Sequence, residues 1–149
     1  MEVSTTTRNR QLIVLSGFLL QLKPWGSVLG TNVITVFLDQ ARSGGPLTVH
    51  GDGEQTRDFV HVRDVVRANL VAAADDEPGR VYNVGTGESI TIRGLAALVR
   101  ETVGDSAVSI EHVSSRDGDI DRNRTDIGRI VSELGFEPSV MLADGLTEL

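Results

Sequence analysis

The run from Gly51 to Val65, GDGEQTRDFVHVRDV, constrains the fold of this chain more than any other stretch. Gly51-Asp52-Gly53 is a turn, because glycine reaches backbone conformations closed to other residues. Phe59 to Val62 reads as a short apolar strand. Asp64 then opens a helix through Val65, Val66, Leu70 and Ala73 that ends near Asp76. Strands and helices mixed in this way belong to an α/β chain. Arg57 stands between the turn and the strand, and a second block, RDGDID from Arg116 to Asp121, follows a later strand. Two arginines on separate loops above one sheet form a clamp suited to a diphosphate, since the planar guanidinium matches phosphate oxygens two at a time. On the residues alone, Arg57 beside Asp58 reads first as a surface ion pair. Arg116 with Asp117 and Asp119 reads equally as a solvated charged loop.

The pattern around these blocks is regular. Asn32 caps a helix whose apolar face is Ile34, Phe37, Leu38 and Ala41, stopped by Gly44 and Gly45. Leu47 to His50 is a short strand. Arg80 to Val84 reads as a buried strand running into a glycine turn. Thr91 caps a helix with Leu95, Leu98, Val99 and Val103 on one face. Ala107 to Val113 alternates as a strand, with Val108, Ile110 and His112 on one side. Asp126 caps the last full helix, built on Ile127, Ile130, Val131 and Leu134 and closed by Gly135. Pro138 and a short apolar tail follow.

Composition narrows the function. The chain has 149 residues, one domain's worth, and 40% of them are hydrophobic, enough for a core. It has no cysteine, which excludes disulfides and thiolate metal sites and fits a reducing, cytoplasmic compartment. His50, His61 and His112 are scattered, so no metal centre is expected, and His61 reads as a hydrogen-bonded core residue. Asp117, Asp119 and Asp121 imitate a calcium loop. That loop fails where it is most specific, with Arg122 in place of its glycine and Gly128 in place of its glutamate. A net charge of −7 argues against nucleic acid as a partner.

The charge is uneven: residues 1–50 carry four basic and two acidic side chains, the remainder ten and nineteen. Lys23 is the only lysine. An acidic, lysine-poor surface resembles proteins of salt-loving archaea, and a GC-rich genome produces the same bias. Residues 1–31 read as a divergent leader. Arg8 and Arg10 ahead of the apolar run Gln11–Leu22 imitate a signal peptide. The run is shorter than the ~20 residues a bilayer needs, so no membrane is expected. The alternatives for it are a buried strand or helix, or a non-native leader.

Residues 32–147 resemble the sugar-nucleotide-binding part of the extended short-chain dehydrogenase/reductase family, within it the nucleotide-sugar epimerases and dehydratases. The blocks carrying the resemblance are Pro46-Leu47-Thr48-Val49-His50-Gly51, Arg57-Asp58-Phe59, Tyr82-Asn83-Val84-Gly85-Thr86-Gly87 and Arg116-Asp117-Gly118-Asp119. The resemblance implies that Arg57 and Arg116 bind the diphosphate of a nucleotide sugar, a UDP-sugar above all. It implies that Asp119 reaches the ribose and that Thr48, Val49 and His50 meet the base. Asn32 is placed to touch the phosphates, and the Tyr82–Gly87 run is structural. His50 replaces a larger aromatic, and Arg63 stands where an acidic or small polar residue is usual.

The family also uses NAD, a glycine-rich cofactor turn and a Tyr-x-x-x-Lys pair whose lysine lowers the tyrosine's pKa. This chain has one tyrosine, Tyr82, with Thr86 four positions on, and no G-x-x-G-x-x-G or G-x-G-x-x-G. The implied fold is therefore an incomplete α/β one, the substrate-binding part (residues 32–149) without its Rossmann cofactor half. The implied function is nucleotide-sugar binding, with no catalysis and no cofactor expected for the chain alone. The alternatives are a half-enzyme completed by a separate Rossmann chain and a non-catalytic interaction module.

Overall fold

Local hydrogen bonds start and stop most of the elements. In a computed structural model, residues 12–15, 18–20, 32–75 and 79–149 are described. The order is β1 (Leu12–Leu15), β2 (Phe18–Leu20), α1 (Val33–Arg42), β3 (Leu47–His50), β4 (Thr56–Arg57), β5 (Phe59–His61) and α2 (Val62–Ala74). Then come β6 (Val81–Val84), β7 (Ile90–Thr91), α3 (Ile92–Val103), β8 (Ile110–Val113), α4 (Gly128–Leu134) and α5 (Leu142–Thr147). Asn32 caps α1, its side chain accepting from Ile34 N at 3.1 Å, and Thr91 caps α3, accepting from Gly94 N at 3.0 Å. Gly104 and Gly135 close α3 and α4 in the left-handed region that glycine enters without penalty.

The strands pair as β1 with β6, β2 with β5 and β3 with β8, all parallel, and β4 with β7 antiparallel. Parallel partners need a crossover, which helices supply. Between β3 and β8, two of the crossing helices are α2 and α3. Among the described residues the buried apolar side chains gather in two cores. One core gathers Ile34, Phe37 and Leu38 of α1, Leu95, Ala96 and Val99 of α3, Leu47 and Val49 of β3, and Phe59. The other gathers Val60, Val65, Ala68, Tyr82, Val84, Ile130 and Phe136. Successive strand residues face opposite sides, so Phe59 and Val60 put β5 between the two cores. Each fully buried aliphatic side chain contributes about 1.5–3 kcal/mol by leaving water.

Several elements depart from expectation. Helix α2 begins at Val62, not Asp64. The cap is His61, whose Nδ1 accepts from Arg63 N at 3.2 Å, while Asp64 turns its carboxylate to another segment. The helix ends at Ala74, and Asp76 lies outside the described residues. Strand β6 is half-buried, since Tyr82 and Val84 face the core and Val81 and Asn83 face out. Strand β8 starts at Ile110 rather than Ala107. An Asx turn, with Ala107 N donating to Asp105 Oδ1 at 2.9 Å, carries the preceding residues off the strand line. Val108 is buried, but His112 is exposed. Asp126 accepts from Gly128 N at 2.9 Å, yet the cap position of α4 is Ile127. The tail after Pro138 forms a further helix, α5, whose Gly145 and Leu146 are buried. Of the leader expected over residues 1–31, β1 and β2 are described; Arg8, Arg10 and Lys23 lie outside the described residues. Among the described residues no helix is long and apolar enough to cross a membrane.

Candidate functional site

Strand β4 builds the site. It is flanked by β7, with Thr56 opposite Thr91 and Arg57 opposite Ile90, and bridged to Arg122 through Thr56. Thr56 N donates to Asp121 O at 2.9 Å and Asn123 N donates to Thr56 O at 3.1 Å. These bonds lay the 116–122 loop beside Arg57. The Arg57 side chain is 8% exposed, and its Nη1 donates to Thr56 O at 2.8 Å and to Ile120 O at 2.5 Å. Its Nη2 pairs with Asp119 Oδ1. Asp119 also receives Ile120 N at 2.9 Å and Gln55 Nε2 at 3.3 Å. Gln55 Nε2 donates in addition to His50 O at 3.0 Å, tying the end of β3 to the same carboxylate.

A surface pair between Arg57 and Asp58 is ruled out, because both side chains are buried. Asp58 is fully enclosed. Its carboxylate receives Thr86 N at 3.0 Å, Thr86 Oγ1 at 2.5 Å, Gly87 N at 3.1 Å and Thr125 N at 3.1 Å. One anion thus holds the turn after β6 against the segment before α4. The approach is close enough to require glycine at position 85, where a Cβ would collide with Thr125 and Asp58 Oδ2.

The remaining candidates divide. Arg116 is exposed, and among the described residues its guanidinium has no hydrogen bond or ion pair. Its backbone O accepts from Asp119 N at 3.4 Å, so it shares the turn that carries Asp119. His50 is half-buried, with its Nδ1 donating to Ser114 O at 3.1 Å, which places it against the same loop. Arg57, Arg116, Asp119 and His50 therefore gather in one cluster. Val49 is wholly inside the first core. Thr48 is engaged by the Gln40 carboxamide, at 3.1 Å through its hydroxyl and 3.0 Å through its N–H. Asn32 serves as the α1 cap. Asp58 and Gln55 were not singled out as site residues, although both stand inside the Gly51–Val65 block.

A second buried carboxylate, Asp64, receives Ser139 N, Ser139 Oγ and Val140 N at 2.9–3.1 Å and Arg67 Nη1 at 2.8 Å. Burial pushes this carboxyl up, but the bonds from Val140, Ser139 and Arg67 together bring it below its ordinary value. Arg63 pairs with Glu148 Oε1 at 2.9 Å, tying the start of α2 to the end of α5. His61 is buried as expected, one ring nitrogen capping α2 while Nε2 lacks a hydrogen-bond partner and lies 3.7 Å from Glu148. Tyr82 is buried with its hydroxyl on Glu133 at 3.0 Å. The Arg129 hydrogen bond, opposed by partial burial and helped by Tyr82 and Arg80, lowers the Glu133 carboxyl. Among the described residues no group of three or more metal-ligating side chains gathers.

The chain is similar to known proteins in both sequence and fold. Residues 25–85 match the model of the NAD dependent epimerase/dehydratase family. A dTDP-glucose 4,6-dehydratase of Streptomyces griseus is 38% identical over 114 residues, covering 76% of this chain and 35% of the relative. The crystal structure of UDP-glucose 4-epimerase with UDP-glucose from Thermotoga maritima superposes with a TM-score of 0.78 at 31% identity, covering 92% of this chain and 43% of that one. A dTDP-glucose 4,6-dehydratase from Streptomyces venezuelae with NAD bound superposes with a TM-score of 0.71 at 33% identity, covering 78% and 36%. This chain therefore spans about a third of the length of the curated relatives it matches.

Proposed function

Through residues 25–85 the chain belongs to the NAD dependent epimerase/dehydratase family, and on that footing we propose that it binds a nucleotide-diphosphate sugar, most readily a UDP-sugar. The observation that carries this reading is that Arg57 on β4 meets Asp119 of the neighbouring loop, whose turn also carries the exposed Arg116. Arg116 supplies an uncompensated cation where a diphosphate can be captured, and Arg57 supplies a buried, oriented fork behind it. Asp119 is an acceptor within reach of the ribose hydroxyls, and His50 is the aromatic at the end of β3 that meets the base. Thr48 and Val49 contribute through the backbone of β3, since their side chains are engaged elsewhere.

In the full-length family NAD takes and returns a hydride. The residues of this chain do not fit that cofactor. Its one tyrosine, Tyr82, is buried with its hydroxyl on Glu133 and has Thr86 rather than a lysine four positions on, and no glycine-rich cofactor turn occurs in the sequence. On this reading the residues described here supply the nucleotide-sugar side of such a site rather than its cofactor side.

Thermal unfolding with and without UDP-glucose tests the reading. A ligand that binds only the folded chain, at a hundred times its Kd, stabilises by about 2.7 kcal/mol. The transition should move upward in the wild type and stay in place for Arg116→Ala. A wild-type transition indifferent to UDP-glucose and to dTDP-glucose would remove the reading.

A further inference from the structure

We propose that Asp119 guards the diphosphate seat on Arg57, so that the chain accepts a nucleoside diphosphate and discriminates against inorganic phosphate and pyrophosphate. This rests on the nucleotide-sugar reading above. The Arg57 guanidinium is not an open cation: Nη1 donates to Thr56 O and Ile120 O, and Nη2 faces the Asp119 carboxylate. An anion arriving at Arg57 meets a charge already countered and must first detach Asp119. A detached Asp119 beside a newly bound anion is a like-charge juxtaposition, which costs affinity unless the carboxylate gains new donors.

The ribose of a nucleotide brings two hydroxyl donors. Inorganic phosphate and pyrophosphate bring charge and few donors, and leave Asp119 uncompensated. Asp119 and Arg57 differ in freedom. The Asp119 side chain is 35% exposed and can turn outward, whereas Arg57 at 8% is held from below by two carbonyls. Gln55, bonded to both His50 O and Asp119 Oδ2, keeps the released carboxylate near the end of β3, where the nucleoside is expected. Binding then follows an exchange: Arg116 captures the diphosphate, the ribose hydroxyls take Asp119, and Nη2 of Arg57 passes to the phosphate oxygens. Specificity comes from the repulsive element as much as from the attractive one.

The experiment is titration calorimetry of the full chain with UDP and with inorganic pyrophosphate, for the wild type and Asp119→Asn. The wild type should prefer UDP. The variant should bind pyrophosphate roughly tenfold more tightly, as expected for one like charge removed near an anion. UDP should gain less or lose, so the preference collapses. Unchanged or weaker pyrophosphate binding in the variant would overturn the guard and leave Asp119 as a scaffold residue. Because the substitution can loosen the 116–122 loop, a wild-type readout stands beside it. The carboxylate carbon resonance of Asp119 should shift on saturation with UDP, and a resonance that stays fixed while UDP is bound overturns the exchange. The two readings fail separately. A wild type deaf to UDP, with the variant gaining pyrophosphate, removes the nucleotide and keeps the guard. Wild-type UDP binding with an unaltered preference in the variant does the reverse.

Discussion

Arg57 and Arg116 are the same residue type in two different physical states. Arg57 lies on a strand, buried, with carbonyls and a carboxylate filling its fork. Arg116 lies on an exposed loop with its guanidinium in water. The buried arginine holds the loop in place, and the exposed one offers charge. Asp58 extends the first region, since it gathers N–H groups from two distant turns, and the 116–120 segment has nothing equivalent at its tip. On the nucleotide-sugar reading proposed above, the exposed cation would serve capture and the buried one orientation.

The comparison breaks most visibly at Asp58. Asp58→Ala leaves the N–H groups of Thr86, Gly87 and Thr125 without an acceptor, at about 1–3 kcal/mol each. The variant should fail to give a cooperative thermal transition, and a normal transition would show that the buried region is not organised by this carboxylate. Arg57→Ala is next. Removing the hydrogen bonds of a charged group, with Asp119 left behind, should cost on the order of 3 kcal/mol in urea unfolding. Arg116→Ala should move stability by less than about 0.5 kcal/mol in the same experiment. Equal losses in the two arginine variants would erase the distinction.

Acid sharpens it further. The Asp64 carboxyl is held below its ordinary value, so its contribution is present above the unfolded value near 3.9 and is lost as pH falls through the lower folded value. Stability should therefore fall on the acid side of about pH 4 in urea titrations. Asp64→Asn should lower stability at neutral pH and flatten that acid limb. An unchanged limb would mean that the 139–140 segment is held by other bonds. The smallest effect belongs to the exposed pair Arg63–Glu148, whose double-mutant cycle should give about 0–1 kcal/mol.

Much of this was legible in the chain. Thr91 and Asn32 announced their helices because a cap bonds within two or three residues of itself. The apolar spacing of Ile34, Phe37, Leu38 and Ala41 announced its buried face, because a helix places such positions on one stripe. The Gly51–Val65 and Arg116–Asp121 blocks announced the cluster. What escaped was small in size but decisive in place. His61 rather than Asp64 caps α2, because Asp64 is claimed by Ser139 and Val140, 75 and 76 residues away. Helix α5 escaped because Leu142–Thr147 contains Asp144 and Gly145, poor helix formers, and forms where Leu146 is buried against the first core.

The sequence alone determined the caps at Asn32 and Thr91, the closing Gly135, the family and the two arginines, since these rest on contacts within a few residues or on blocks read directly. Tertiary structure alone decided which charges meet. Arg57 finds Asp119 across 62 positions and Asp58 finds Thr125 across 67. The physical reason is that charge pairing depends on burial and distance in space, and a chain's order prescribes neither until its cores have packed.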